Sequence, residues 1–148
     1  MSEAIEFRSA AESDLLAASR LLAAAKLVPL DDSAQFPQGY IVAISGGSII
    51  GLAGVEVHGE DGLLRSVAVD SAWRGRGLGA GLVDNRIEWA RRRGLGALYL
   101  LTTSAAGFFP RFGFQEIGRD SAPVGIAATL EWSSACPSSA RPMKLTLR

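Results

Sequence analysis

The feature that most constrains this chain is the run Val67-Ala68-Val69-Asp70-Ser71-Ala72-Trp73-Arg74-Gly75-Arg76-Gly77-Leu78-Gly79-Ala80-Gly81. An apolar strand feeds a glycine-dense turn, and the turn opens a helix. Glycines at alternate positions leave backbone N–H groups uncovered by side chains, and the helix N-terminus adds partial positive charge. That combination is a pyrophosphate cradle. Arg74 and Arg76 place cationic donors beside it.

Three phosphate-binding motifs compete for such a turn. A P-loop needs Lys-Ser or Lys-Thr after its last glycine, whereas Leu78-Gly79 stands here, which excludes it. A dinucleotide fingerprint can be read through Gly75, Gly77 and Ala80, but it begins five residues past the strand. It also lacks an acidic residue about 20 positions on, at the end of the next strand, and it follows an antiparallel meander. The third reading is a family resemblance and depends on the rest of the chain.

Ala4 to Arg8 alternates and predicts a short strand. Ala11 to Lys26 predicts a helix with Leu15, Leu16, Ser19, Leu22 and Ala23 along one side, ended by Pro29. Leu27 to Gly39 is a loop with room for one helical turn. Tyr40–Ser45 and Ser48–Val57 predict a hairpin through Gly46-Gly47. Glu60-Asp61-Gly62 predicts the next turn, and Leu63 to Val69 a third antiparallel strand. Gly77 to Arg93 predicts a helix with the stripe Leu78, Leu82, Val83, Ile87, Ala90 and a stop at Gly94. Ala97 to Thr103 is the strand after it, parallel to the one before. Ser104 to Phe112 predicts a short helix, Phe114–Arg119 and Gly125–Trp132 two closing strands, and Pro142 to Arg148 a last extended segment. The expected fold is α/β: one domain over residues 1–148, a mixed and mostly antiparallel sheet with one parallel crossover, and helices on both faces.

Composition narrows the function classes. Apolar residues are 48% and charged residues 20% of the 148, with 15 acids balancing 15 bases. No global charge draws the chain to nucleic acid or to a membrane, and no apolar run spans a bilayer. The one cysteine, Cys136, makes no internal disulfide and no Cys-built metal site, so no metal is expected. Such usage suits a reducing compartment, and the expected location is cytoplasmic.

Arg74-Gly75-Arg76-Gly77-Leu78-Gly79 resembles the Q/R-x-x-G-x-G/A signature of the GNAT superfamily of N-acetyltransferases. Phe108-Phe109-Pro110-Arg111-Phe112-Gly113-Phe114 resembles its F-Y-x-x-x-G-F segment, and the order of elements matches nearly end to end. Leu63–Val69, Leu98–Thr102 and Cys136–Ala140 are further similar to the acetyltransferases associated with arsenic-resistance operons. The resemblance implies acetyl-CoA as co-substrate and a V-shaped gap between the strands ending at Val69 and Thr103. The pantetheine arm would lie in that gap along Val67, Ala68 and Val69, with Thr102 or Thr103 in reach of it. The diphosphate would sit on Arg74, Gly75, Arg76, Gly77, Leu78, Gly79 and Ala80. It implies an amine acceptor of small size, an amino acid or an arsenical analogue, with a non-catalytic acyl-CoA-binding module as the alternative. Homodimers are common in the superfamily, and Pro142 to Arg148 is the segment available to pair across such an interface.

The reaction would be attack of a neutral amine on the thioester. A backbone N–H near Val69 would hold the oxyanion and a base would take the ammonium proton. Glu56, in the apolar run Leu52 to Val57, is the first candidate for base or amine binder; a solvent-facing strand position is the plain alternative. His58 falls on the same face two residues on. Arg65 interrupts an apolar strand, which suits an acceptor carboxylate, or else a salt bridge to Glu56 or Glu88. Phe109 stands where many relatives have a proton-donating Tyr, which puts the acid step in doubt. Arg91-Arg92-Arg93 lies roughly 20 Å along the helix from the cradle and reads as a solvated, dipole-matched end. Cys136 reads as a buried small residue.

Overall fold

The computed structural model describes residues 4–129, 132 and 139–148; Cys136 lies outside them. The strands are β1 (Glu6–Ser9), β2 (Tyr40–Ser45), β3 (Ser48–His58), β4 (Asp61–Val69), β5 (Ala97–Thr102), β6 (Gln115–Glu116) and β7 (Arg141–Thr146). They form one seven-stranded sheet in the order β1-β2-β3-β4-β5-β7-β6. Among the described strands only β4 and β5 run parallel, and their register extends from Asp61↔Ala97 to Leu63↔Tyr99. The helices are α1 (Leu15–Ala24), α2 (Leu78–Arg92) and α3 (Val124–Ala127). Ala18, Leu21 and Leu22 of α1 pack on Tyr40, Val42, Leu52 and Ala68. The stripe of α2 covers the opposite face, on Ile41, Ala43, Ile50, Ala53, Val55 and Leu64.

The hairpin at Gly46-Gly47 forms as expected, with φ of +57° and +80°, values a two-residue turn of this twist requires. The next turn falls earlier than expected. Gly59 and Glu60 turn the chain, and Asp61 and Gly62 belong to β4, paired with His58 and Val57. β4 also carries a bulge that alternation did not reveal. Gly54 faces Arg65 and Leu52 faces Ala68, so one residue is extra in β4; Ser66 takes φ +61° there. A bulge re-aims the side chains beyond it.

Helix α1 is shorter than expected, and its buried face differs. Asp14, Ala18, Leu21 and Leu22 are buried, while Leu15 and Leu16 are 46% and 63% exposed. The phase is set by a charge. Asp14 ends a 3₁₀ turn over Glu12–Asp14 and accepts two hydrogen bonds from Arg8, at 2.7 and 2.9 Å, plus the Ala11 N–H at 2.7 Å. With position 14 held inward, positions 18, 21 and 22 follow, and the apolar count at 15 and 16 misleads.

The Arg8 hydrogen bonds, the largest influence, hold the Asp14 carboxyl below the usual carboxylate range. A carboxylate whose pKa is depressed on folding stabilises the fold above its unfolded value and stops doing so as pH falls through the folded value. Asp14→Asn is therefore expected to lower the urea midpoint at neutral pH, with the gap to wild type closing in acid below the ordinary aspartate range. A gap independent of pH would contradict this assignment.

Three C-terminal expectations are corrected. Only Phe109–Phe112 of the expected helix over Ser104–Phe112 is helical, as a 3₁₀ turn ended by Gly113 at φ +100°. The strand expected over Phe114–Arg119 is confined to Gln115–Glu116. Gly125–Trp132 does not begin as a strand: Pro123 leads into α3, which buries Ile126 and leaves Val124 86% exposed. One apolar side in four residues suits a helical turn laid on a sheet. The final extended segment does form, as β7, but it lies inside the sheet. It pairs with β5 on one edge and with β6 through Lys144 and Met143 on the other. At Met143 and Lys144 both edges of β7 are thus occupied within the chain.

Candidate active site

The glycine turn forms an open strand-to-helix joint. Gly75 and Gly77 have φ of +79° and +81°, and a Cβ at either would meet nothing within 4 Å, so the space above them is open. Gly77 is the N-cap of α2, and the Gly81 N–H makes an early helical bond to Gly77 O at 3.1 Å. The N–H groups of Leu78, Gly79 and Ala80 precede it and point out of the helix end. A cleft of about 380 Å³ opens there, lined by Val69, Arg74, Gly75, Gly77, Leu78, Gly79 and Ala80 of the expected residues. Arg76 is not in that lining; its guanidinium lies 4.7 Å from the Trp73 ring. Trp73, Phe108 and Arg111 also line the cleft and were not singled out. For Arg111 the signal was its place in the phenylalanine-rich segment, where it donates to Phe108 O at 2.9 Å and stacks on Phe108 at 4.6 Å.

Beyond Leu63↔Tyr99 no further β4–β5 pairs form, although both strands continue. The strands splay, and β4 keeps six more residues. Asp70 N–H donates to Ile50 O at 2.8 Å, so by alternation the N–H and C=O of Val69 turn away from β3, toward the splay. Val67, two residues back, shares that direction. Ala68 faces β3 and packs under α1. Arg74 Nε donates to Val69 O at 3.2 Å, joining strand end and turn. Thr103 follows the end of β5, and Thr102 Oγ1 accepts from Ala105 N–H at 3.0 Å, a local cap.

A charged network sits at the closed end of the splay. Glu56 is opposite Leu63 and 3% exposed, and Arg65 is 5% exposed. Arg65 Nη1 donates to Glu56 Oε2 at 2.7 Å, Nε to Ser66 Oγ at 3.0 Å, and Nη2 to the carbonyls of Pro29 at 3.0 Å and Val28 at 3.3 Å. His58 Nε2 lies 2.9 Å from Glu56 Oε1, and its side chain is the most open of the three, at 23%. Glu56 is thus not a solvent-facing position. Of the alternatives for Arg65, the pair with Glu56 forms, while Glu88 pairs with Arg92.

Gln35 fixes this network and had no legible signal. Its side-chain amide accepts from Val57 N–H at 2.8 Å and donates to Val57 O at 3.0 Å. The last β2–β3 pair is Tyr40↔Gly54, so Gln35 takes the place of a strand beside Val57, between Glu56 and His58. Phe109 is 6% exposed between Phe108 and Phe114, a core position. Among the described residues no group of acidic, His or Cys side chains has the arrangement of a metal site. No described helix is long and apolar enough to cross a membrane.

Residues 8–114 match the family model described as acetyltransferase (GNAT) family. The chain belongs to the GNAT family. The family is described as one of acetyltransferases, which agrees with the acetyl-CoA co-substrate that the resemblance implied. A Mycobacterium tuberculosis protein solved in complex with CoA and a second ligand is 28% identical, with a TM-score of 0.79 over 97% of this chain and 99% of that one. An amino-acid acetyltransferase of the same organism is 39% identical over 72 residues, 48% of this chain and 41% of that protein. The match thus spans under half of that relative. N-acetylglutamate synthase from Neisseria gonorrhoeae, solved with coenzyme A and N-acetyl-glutamate, superposes with a TM-score of 0.82. At 19% identity over 36% of that chain, it reports on the GNAT fold alone.

Proposed function

We propose that this GNAT chain, as a single domain over residues 1–148, acetylates the amino group of a small amino acid. The observation that carries the reading is the Glu56–His58–Arg65 network at the closed end of the splay, with the glycine cradle at the open end. Six residue steps along β4 lead from Leu63 to Val69, about 20 Å of strand, along which an extended pantetheine arm runs with its thioester toward the network. Glu56, held by Arg65 and reached past the more open His58, suits the ammonium that an amino-acid acceptor brings. The 39% identity to an amino-acid acetyltransferase supports that choice. The likeness to arsenic-resistance acetyltransferases adds arsenical amino-acid analogues to the acceptor panel.

In this reading the ammonium proton passes to Glu56, directly or through His58, which is its open edge. The free amine attacks the thioester carbonyl, the N–C bond forms, and a splay-facing backbone N–H of β4 steadies the oxyanion. The nitrogen gives its second proton to water, the C–S bond breaks, and CoA leaves as thiolate. Phe109 holds no proton to give, so water protonates the thiolate; thiols near pKa 8.5 are tolerable leaving groups. Phe109 is also the observation behind a second reading, a module that binds acyl-CoA without turnover. The test is release of CoA thiol from acetyl-CoA with L-amino acids and arsenical analogues as acceptors. Thiol release matched by N-acetyl product is expected with at least one acceptor, and bound acetyl-CoA that no amine consumes would decide for the second reading.

A further inference from the structure

A second cavity lies beside the cradle. It is a neighbouring hollow of about 560 Å³ between α1, the tip of the β2–β3 hairpin and the β4–α2 joint, a size that suits a small organic ligand. Its floor is apolar, from Leu21, Ile44, Ile49 and Val69, and Ala17 and Ala24 keep the helix side open. Its rim carries Arg8, Arg20 and Arg74 against Asp14 and Asp70. Asp14 is satisfied by Arg8 and the Ala11 N–H, and Asp70 accepts the Ala72 N–H at 2.9 Å. Arg20 and Arg74 are exposed and give the rim a surplus of positive charge over an apolar floor.

We propose that this hollow is a second ligand site, distinct from the cradle, for a small organic carboxylate with an apolar body, and that its occupant antagonises acetyl-CoA. The guanidinium fork is the side chain that best pairs with a carboxylate, and the floor takes the hydrocarbon. Antagonism follows from a shared wall: Val69 and Arg74 line both cavities. An anion that draws Arg74 to the hollow takes a cation from the diphosphate. Coupling between sites is reciprocal and commonly amounts to fivefold or more in affinity. The coupling, though not the carboxylate site itself, rests on the reading of the cradle as the acetyl-CoA seat.

Two measurements on the full chain test this. Amide spectra are recorded with isocaproate, a branched-chain carboxylate, and with its neutral amide. Isocaproate is expected to shift Ala17, Leu21 and Ile49, and the amide to do so far less. Arg20→Gln, an exposed change outside the cradle, and Ala17→Leu, which fills the hollow, are each expected to remove the response while the chain stays folded. Acetyl-CoA titration in saturating isocaproate is expected to show affinity weakened by about fivefold in wild type and unchanged in Arg20→Gln. Shifts confined to Gly75–Ala80, equal binding of amide and carboxylate, or no shift at millimolar probe would overturn the site. Shifts at Ala17 and Leu21 caused by acetyl-CoA but not by its form lacking the 3′-phosphate would overturn it too, assigning the hollow to the end of the cofactor. If the isocaproate shifts stand but acetyl-CoA fails to bind at all, the cradle reading fails and the carboxylate site survives. Binding of both with no mutual effect sinks only the antagonism.

Discussion

Glu56→Gln is expected to lower kcat by about 10²- to 10⁴-fold, the range for loss of a general base, while leaving acetyl-CoA affinity within about twofold. Gln keeps the shape of Glu56 and removes its charge, so the cofactor, bound by backbone and cradle, should not sense the change. Stability should sense it. Glu56 and Arg65 form an ion pair at 2.7 Å with side chains 4% and 3% exposed, and stranding one buried charge costs about 3–5 kcal/mol. The pair itself need not stabilise by that amount, since desolvation offsets most of its attraction. The double variant Glu56→Gln/Arg65→Met is therefore expected to regain much of the lost stability and none of the lost turnover. Assays well below the melting temperature separate the two effects. Turnover of Glu56→Gln within tenfold of wild type would remove Glu56 from the chemistry and leave it a structural partner of Arg65.

Gly39→Ala is expected to destabilise the chain by about 3 kcal/mol or more. Overpacking contributes about 1–3 kcal/mol, and a left-handed backbone with a side chain adds about 1–2. Gly39 has φ +78°, and a Cβ there would lie 2.2 Å from Val55 O, a backbone atom that cannot swing aside. Gly39 O also accepts from Val55 N–H at 3.0 Å and from Arg86 Nη1 at 2.8 Å, so any shift is felt in β3 and α2 together. Arg86 is 5% exposed, and burial pushes its guanidinium down to about 10, still charged at neutral pH. Gly46→Ala is the matched control. It too has a positive φ, of +57°, but open space around the new Cβ, so it should cost only the backbone term. Equal urea midpoints for the two variants would refute the steric account.

The strand–turn–helix joint was legible because its signals are local. Consecutive residues from Val69 to Ala80 make the strand end, the turn and the helix start, and each does its work through backbone that glycine exposes. The stripe of α2 was legible for the same reason. What escaped notice is held by contacts distant in sequence. Gln35 meets Val57 across 22 positions, and Arg65 reaches Val28 and Pro29 across 37 and 36. Neither has a periodic or motif signal. The phase of α1 was misread because a buried acid, Asp14, sets it, and hydropathy scores such a residue as solvent-facing. The bulge at Ser66 has no glycine to mark its positive φ. Arg65 was noticed as a charge in an apolar strand, and its partner Glu56 was among the alternatives. Burial of the pair, and His58 beside it, needed the fold.

The most direct measurement is calorimetric titration of the wild-type chain with acetyl-CoA beside Gly77→Glu. The substituted side chain meets no protein atom within 4 Å at its Cβ, so beyond the cost of its left-handed backbone it should leave the core intact while placing a carboxylate where the diphosphate belongs. The account predicts one acetyl-CoA bound per wild-type chain and none by the folded variant. No binding by the wild type, or equal binding by both, would contradict it and reduce the glycine turn to a tight joint between strand and helix.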